Sequence, residues 1–499
     1  MFLAEGNPVQ AMGELYTVMA EKIGANTSII VFLIMLGIMV VLMSKSGGSL
    51  AYGNWASKKI KTREGAMLAT AGLGALIFVD DYFNCLTVGN VMRPVTDKFN
   101  ISRSKLAYII DSTAAPICII APISSWAAAV SGELDGDGLV IFIQTIPLNL
   151  YALLSICMVI FFCVSKFDLF KMRKNEQIAI KTGDLHAGET DLPMEDTELA
   201  SDNKNGKVAY LLIPIIVLII SCICGMIYTG YYYNWDTGLV GTELQSSNLI
   251  ESFSNCEAGL SLAIGSTFAV IFTIIYYMAT KALNFKAITE SFTQGFKSMV
   301  PAILILSFAW TLSGIMGAKG GGLEASTYVQ NTISADSIGA LGLLPAILFL
   351  CAAGISFATG TSWGTFGILI PIATAVLGTG ADPLTLLSVS AVLAGSVFGD
   401  HISPISDTTI LSSSGAQCNH VDHVKTQLPY AGIVAIISFI GYLIMGFIAN
   451  AGASYGLTVG LTLLIGGILI AGTLTGLYFY SKKLSAKEEA AVVVDNKAE

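Results

Sequence analysis

Apolar runs follow one another along most of the chain, at 28–44, 65–83, 106–130, 140–164, 208–228, 258–280, 298–316, 340–378, 385–416, 427–449 and 457–480. Most are near or above the ~18–20 residues that a helix needs to cross a bilayer core. Four are not clean. The stretches 65–94 and 340–378 carry a polar interruption followed by a second short apolar piece, and 106–130 and 385–416 are interrupted too. The pattern predicts whole and discontinuous membrane helices. No β-barrel alternation is visible, and the glycine-rich apolar runs suit closely packed membrane helices.

Lys and Arg orient the helices, because they accumulate in cytoplasmic loops. The inner loops are then 45–64, 93–105, 166–207, 281–297, 418–425 and the tail from 481. The outer loops are 131–138, 229–257, 317–339, 379–384 and 450–456. Of the 26 basic residues, only Lys22 and Lys319 fall outside. This holds if 65–94 and 340–378 each enter and leave on one side, as re-entrant hairpins opening to opposite faces, with Asn84 and Thr361 at their tips. Non-helical backbone at that depth must be buried in protein or line a wet cavity. Each hairpin precedes a broken helix, "STAAPICIIAPISSW" (112–126) and "GSVFGDHISPISDTT" (395–409). The two share P-I-S, followed by Ser125 in one and Asp407 in the other. The expected fold is an all-α polytopic membrane protein of two inverted repeats, each with a re-entrant hairpin and a broken transmembrane helix. Alternating-access transporters use that arrangement, with the site at the midplane. The halves are 1–165 and 208–480. A hydrophilic cytoplasmic linker at 166–207, read as flexible, joins them, and 481–499 is a cytoplasmic tail.

Composition agrees. The chain has 499 residues, 54% hydrophobic and 12% charged, against about 25% charged in soluble domains. A net charge of −9 gives no reason to expect nucleic acid. The nine cysteines are scattered, without a C-x-x-C pair, and read as small apolar residues rather than disulfides or zinc ligands. "GAKGGGLE" (317–324) lacks the ending of a phosphate-binding loop and reads as an outer connector. The N-terminal stretch lacks the basic start and apolar core of a cleaved signal peptide.

Four polar stretches interrupt the apolar pattern. In "FVDDYFNCLTVGN" (78–90), Asp80 and Asp81 sit at a hairpin turn. A carboxylate at membrane depth is costly, so it is either functional or used to cap the next helix or pair with Arg93. In "DSTAAPICIIAPISS" (111–125), Pro116 and Pro122 break or kink the helix, and the hydroxyls of Ser112, Thr113, Ser124 and Ser125 can ligate a hard cation. "FATGTSWGTFG" (357–367) reads as a hairpin tip. Its Gly360, Gly364 and Gly367 allow turns, and its Thr359, Thr361, Ser362 and Thr365 supply oxygens; the competing reading is close helix packing. In "GDHISPISDTT" (399–409), Gly399 and Pro404 bracket an unwound segment. Asp400, Ser403, Ser406, Asp407, Thr408 and Thr409 are the oxygen ligands a hard cation prefers. His401 is either a proton carrier or a hydrogen-bonded helix-end residue. His420 and His423 are assigned to a surface loop, and His186 to solvent.

Three long motifs resemble the NhaC-type sodium/proton antiporter family of the ion transporter superfamily: "IFVDDYFNCLTVGNVMRPVTDKFNISRSKLAYIIDSTAAP", "FATGTSWGTFGILIPIA" and "FGDHISPISDTTILSSSGAQCNHVDHVKTQLPYA". The resemblance runs from about Gly6 to Gly446. It implies further apolar helices ahead of "GNP", which here begins five residues into the chain. By motif it points to Asp80, Asp81, Asn84, Asp111, Ser112 and Thr113 in the first half. In the second it points to Thr359, Thr361, Ser362, Asp400, His401, Ser403, Ser406, Asp407 and Thr408. It implies a Na⁺/H⁺ exchanger of a bacterial-type cytoplasmic (inner) membrane, not an enzyme. Na⁺ is the transported ion, there is no cofactor, and the partners are Na⁺, H⁺ and the bilayer; homo-oligomerisation is left open. The expected Na⁺ ligands are Asp407, Asp400, Ser406 and Thr361, with Asp407 in direct contact. An ionised carboxylate binds Na⁺ and a protonated one releases it. The nearest alternative is a Na⁺- or H⁺-coupled carrier or exchanger of a small organic acid or amino acid. The absence of Lys and Arg from the midplane segments favours a cation-only site. An intramembrane aspartyl protease needs two membrane aspartates, but Val397 stands where its motif has glycine, and the hydroxyl cluster would go unused.

Overall fold

The computed structural model describes residues 7–134, 138–165, 167–189, 206–234, 239–241, 244–246, 252, 256–317, 341–378 and 380–498. Nearly all of them are helical. α1 (Pro8–Ala25) starts cleanly because Asn7 Oδ1 accepts from the amides of Val9 and Gln10 and Pro8 takes the first helical position. α2 (Thr27–Lys45) and α3 (Gly48–Lys59) lead to a helical hairpin, α4 (Arg63–Leu76) and α5 (Asp81–Asp97). A broken helix follows, α6 (Arg103–Cys118) and α7 (Ser125–Ser131). α8 (Gly138–Thr145) continues through a 3₁₀ turn at Pro147 and meets α9 (Leu150–Val164) at a bend of 48°. The sequence reading had this as one unbroken run; Asn149, which caps α9, marks the bend. After α10 (Phe170–Thr182) and α11 (Ala209–Tyr232), β1 (Tyr233–Asn234) and β2 (Leu239–Val240) form a minimal antiparallel pair. α12 (Ala258–Ala279) and α13 (Phe285–Gly317) follow, and α13 absorbs most of the expected inner loop at 281–297.

The second half repeats the order of the first. A hairpin, α14 (Leu344–Thr359) and α15 (Ser362–Leu377), precedes a broken helix, α16 (Pro383–Ile402) and α17 (Asp407–Ala416). α18 (His420–Asn450) and α19 (Tyr455–Ala498) complete the chain. Among the described residues seven helices are long and apolar enough to cross a membrane, and the bent α8–α9 pair makes an eighth if it crosses as one. α4, α5 and α15, with 14, 17 and 16 residues, rise only ~21–26 Å, short of a ~30 Å hydrocarbon core. Residues 318–340, which hold most of the expected outer loop at 317–339 and of the "GAKGGGLE" connector, lie outside the described residues.

Two helix groups form. In one, α2 packs on α12 and α13, and α11 on α12. A Cβ on Gly37 would stand 2.4 Å from the Gly295 carbonyl oxygen, so these glycines let α2 and α13 meet backbone to backbone. The other group, α4–α9 with α14–α18, holds both helix breaks.

The segment read as a flexible linker is ordered over 167–189. α10 buries Met172, Asn175, Glu176 and Ala179. Glu176 pairs with Arg63 and accepts from the Ser102 amide at 2.8 Å. Asn175 donates to Ser104 Oγ at 3.1 Å and to Asp422 Oδ2 at 2.7 Å, and Lys171 pairs with Asp422 at 2.5 Å. Desolvation alone would lower the Lys171 ammonium, but the hydrogen bond and charge of Asp422 hold it above its ordinary value. α10 therefore straps together the starts of α4, α6 and α18. Its buried face is half polar, which is why the segment looked like solvated linker. Residues 166 and 190–205 lie outside the described residues. Beneath the strap, Lys105 is wholly buried and pairs with Asp168. Asp168 also accepts from the Tyr430 hydroxyl at 2.8 Å, and the ammonium lies 5.4 Å from the Phe162 ring centre.

Candidate functional site

Both helix breaks use one device. After Pro122-Ile123, Ser124 caps α7 by accepting from the Ala127 amide at 3.1 Å. After Pro404-Ile405, Ser406 caps α17 by accepting from the Thr409 amide at 3.3 Å. The shared P-I-S is thus a stop followed by a restart. Each break is met by the hairpin of its own half. The Ser125 amide donates to the Val79 carbonyl at 2.9 Å. Ser403 Oγ donates to the Phe357 carbonyl at 2.8 Å. Gly360, with φ +68°, turns the second hairpin so close to Ile405 that a Cβ would stand 2.5 Å from that carbonyl oxygen. Gly364 and Gly367, expected to shape this tip, lie inside α15 instead.

Asp400 ends α16 at the break. It is 3% exposed. Its Oδ2 accepts from Thr408 Oγ1 at 3.1 Å, and Thr408 Oγ1 lies 3.2 Å from Ser406 Oγ. Its Oδ1 is buried without a hydrogen-bond partner. Thr409 Oγ1 donates to the Asp400 carbonyl at 3.3 Å. Asp81 and Asp111 both lie within electrostatic reach of Asp400.

Asp111, in the middle of α6, is wholly buried but well supplied with donors. Gln427 Nε2 reaches Oδ2 at 2.5 Å, Thr409 Oγ1 reaches Oδ2 at 3.3 Å, and Ser412 Oγ reaches Oδ1 at 3.3 Å. His423 Nε2 stands 3.4 Å from Oδ2. Gln427 Nε2 also donates to the His401 carbonyl at 2.8 Å, which links α6, α16 and α18. His401 Nδ1 shares a 3.0 Å hydrogen bond with the Tyr151 hydroxyl, while Nε2 has no partner. The N-terminal turns of α17 therefore lie between two buried carboxylates from different halves.

The first hairpin brings a third acid group. Asp80 and Asp81 are buried at the start of α5; Asp81 Oδ1 accepts from the Tyr82 amide at 3.2 Å, and the Trp126 indole faces its carboxylate. Asn84 sits one turn into α5 rather than at the tip. It donates to the Gly74, Ile77 and Thr113 carbonyls at 2.7, 3.0 and 3.3 Å, leaving its buried Oδ1 unpartnered. Other candidates are already engaged. Thr113 Oγ1 donates to the Ile109 carbonyl at 2.7 Å, Ser362 Oγ to Ser396 at 3.1 Å, and Thr359 Oγ1 to Ile355 at 2.8 Å on an exposed face. Ser112 is buried within α6. Thr361 caps α15 by accepting from the Gly364 amide at 3.4 Å. Asp407, unlike Asp400, is exposed, at the start of α17, with its Oδ2 3.4 Å from the Tyr82 hydroxyl.

One assignment is reversed. His423 is not in a surface loop but fully buried against Asp111, because α18 begins at His420 and carries it inward. His420 bonds the break itself, with Nε2 2.7 Å from the Pro404 carbonyl. Sequence reasoning also passed over Gln427, Tyr151, Trp126 and Trp363. Gln427 carried a signal, as an amide at the mouth of an apolar run. The two tryptophans carried none; they meet edge to face across the halves at 5.8 Å.

Residues 137–447 match the family described as the Na⁺/H⁺ antiporter family. The chain belongs to that family. It is a family of secondary transporters, not of enzymes, and this antiporter is a multi-pass membrane protein. An uncharacterized protein of Haemophilus influenzae is 40% identical to it over 88% of this chain and 82% of its own length. A malate-2H⁺/Na⁺-lactate antiporter of Bacillus subtilis is 36% identical over 33% of this chain and 34% of its own. An arginine/ornithine antiporter of Halobacterium salinarum is 37% identical over 27% of this chain and 28% of its own.

Proposed function

We propose that this antiporter exchanges Na⁺ for H⁺ across the cytoplasmic membrane by alternating access, with Asp400 as the carboxylate that holds either ion in turn. The observation that carries this reading is the buried, unpartnered Oδ1 of Asp400 at a helix break, beside the hydroxyls of Thr408 and Ser406. A buried acceptor left unmet costs about 1–3 kcal/mol, and more when charged. A bound Na⁺ or a proton removes that cost, and Na⁺ favours such an oxygen set. Asp407, exposed at the start of α17, and Thr361, which caps α15, complete the ligand proposal. Asp81 and Asp111, within electrostatic reach, make it costly for all three acids to be ionised together, so cation and proton occupancy are linked. The repeated order of hairpin and broken helix, with its shared break, supports an inverted repeat about this site.

A second reading is exchange of a small organic acid or amino acid. The indole N–H of Trp363, buried without an acceptor, favours it, because a neutral donor can take a substrate carboxylate. So do the names of the lactate and arginine antiporters. The test is purified protein in acid-loaded liposomes enclosing a pH dye, with and without a potential clamp. Na⁺, Li⁺ and K⁺ are added singly, then with lactate, malate or arginine. Proton efflux on Na⁺ alone is expected. A flat trace until an organic solute is added selects the second reading, and silence throughout refutes both.

A further inference from the structure

We propose that the exposed face of α3 lies on the headgroups of anionic phospholipids and gathers them by charge. α3 starts three residues beyond the end of α2, a helix of membrane length. Its two ends are fixed at one level. A Cβ on Gly48 would stand 2.7 Å from the Leu211 amide nitrogen, in the first turn of α11, another helix of membrane length. Lys98 directly follows the last residue of α5, and its Nζ donates to the Ser57 carbonyl at 3.4 Å. Between these points, a Cβ on Gly53 would stand 2.7 Å from the Val91 carbonyl oxygen of α5. α3 therefore runs across the ends of α11 and α5, along the surface where α2 leaves the bilayer.

Its side chains divide to suit that position. Gly48, Ser49, Gly53 and Ala56 are buried in protein. Leu50, Asn54 and Lys58 form one exposed row at four-residue spacing, and Trp55 and Lys59 form the next. Trp55 is 50% exposed, with its ring centre 5.6 Å from that of Tyr52. Indole and phenol rings beside lysines mark the headgroup level of a bilayer, where a ring can dip into the apolar boundary while the ammonium groups stay among the headgroups. Charge identifies the headgroup. Residues 46–63 hold Lys58, Lys59, Lys61 and Arg63 and no acid. Arg63 is engaged by Glu176. The three lysines are exposed, and none is in an ion pair among the described residues. Three ammonium groups without a compensating acid, set beside an interfacial ring, favour a leaflet that carries net negative charge over a zwitterionic one. None of this depends on which ion is carried.

The experiment is tryptophan quenching of the full chain in vesicles of phosphatidylglycerol and phosphatidylcholine in equal amounts, with one of the two brominated on its acyl chains. The Trp55 signal is the difference between the parent and Trp55→Phe. Brominated phosphatidylglycerol should quench it more than brominated phosphatidylcholine, by the margin of a roughly fivefold local enrichment if one lysine at a time engages a headgroup. In Lys58→Gln/Lys59→Gln/Lys61→Gln the two lipids should quench alike, and quenching that persists shows that α3 still meets lipid. The matching Lys→Arg triple variant should keep the preference. A second measurement needs no variant of the lysines: raising salt from about 0.1 M to about 1 M cuts the screening length to about 3 Å and should remove the preference. Absence of Trp55 quenching by either lipid overturns the proposal, and so does equal quenching in the parent. A preference that survives in the Gln triple variant or at high salt overturns it too.

Discussion

Gly89→Ala adds one methyl where α5 crosses α17, and the structure gives its consequence. The new Cβ would stand 2.4 Å from the Gly415 carbonyl carbon, 2.6 Å from its Cα and 2.7 Å from its oxygen. These are backbone atoms on both sides, so no rotamer change relieves them. Carbon atoms pack at roughly 3.5–4.0 Å, so the helices must part by about 1 Å. α17 carries the hydroxyls that reach Asp400 at 3.1 Å and Asp111 at 3.3 Å. A shift of about 1 Å takes those contacts beyond hydrogen-bond range. Overpacking costs ~1–3 kcal/mol, which outweighs the ~0.5–1 kcal/mol that Ala gains over Gly in a helix. The expected outcome is a lower unfolding midpoint in detergent and Na⁺-driven proton efflux below about a tenth of the parent rate, a loss of ~1.4 kcal/mol or more. Gly432→Ala is the control: nothing lies within 4 Å of its Cβ, so it should be neutral or slightly stabilising. If the two variants match in both midpoint and efflux, the α5–α17 contact does not set the geometry of the site.

Asp400→Asn should abolish Na⁺-driven proton efflux with expression and midpoint near the parent's, whereas Asp407→Asn should weaken apparent Na⁺ affinity several-fold and leave exchange measurable; the opposite ranking would make Asp407 the essential ligand. Gln427→Ala removes the donor to Asp111 and to the His401 carbonyl, and should cost ~1.5–3 kcal/mol of folding stability, seen as a lower midpoint with slower exchange. Lys105→Met strands Asp168 as a buried charge and should destabilise by ~3–5 kcal/mol, while Lys105→Met/Asp168→Leu should recover most of it; a double variant as unstable as the single one would assign the loss to packing around the aliphatic stem.

What the sequence disclosed were features with local causes. Pro404 and Pro122 break helices wherever they stand, Ser124 and Ser406 cap whatever follows, and Gly360 turns a hairpin because little else adopts its φ. The interrupted runs could therefore be located to within a few residues. Asp400 and Asp111 were visible as acids in an apolar setting. Their surroundings were not, because Asp111 meets Thr409, Ser412, His423 and Gln427 only through contacts about 300 residues apart in sequence. His423 shows the limit most plainly. "CNHVDHVK" reads as a polar loop, yet α18 starts at its first histidine, and one turn of helix carries the second inward. Asp407 shows the converse: it stands in the same polar run as Asp400, but the cap at Ser406 starts a new helix there and leaves Asp407 exposed where Asp400 is buried. The strap at α10 was hidden for the same reason, since Asn175 and Glu176 are polar residues buried on one face.

The two buried acids at the break are not equivalent, and the difference suggests how exchange could be coupled. Asp111 accepts from Gln427, Thr409 and Ser412, and the His423 ring lies 3.4 Å away. Its hydrogen bonds join α6 to α17 and α18 with no ion present, so in the proposed exchange it would serve as a post against which those helices are positioned. Asp400 accepts from Thr408 at one oxygen, while its other oxygen, though the Ser406 and Ser362 hydroxyls are near, has no partner in hydrogen-bond geometry, so it has room for an arriving ion. Thr409 joins them, since its hydroxyl lies 3.3 Å both from Asp111 and from the carbonyl of Asp400. A hydroxyl has one proton to donate. It can bond strongly to only one of these acceptors at a time. If a cation at Asp400 draws the carbonyl towards itself, the Thr409 proton is released to Asp111, and if the cation leaves, the proton can return. In the proposed exchange, occupancy of the open site would thereby reach the helix that α10 straps through one hydrogen bond. Thr409→Val keeps the shape and removes the proton. It should leave Na⁺ binding measurable by ²²Na⁺ retention while slowing exchange at least tenfold. Unchanged exchange in Thr409→Val would show that the two carboxylates communicate by charge alone.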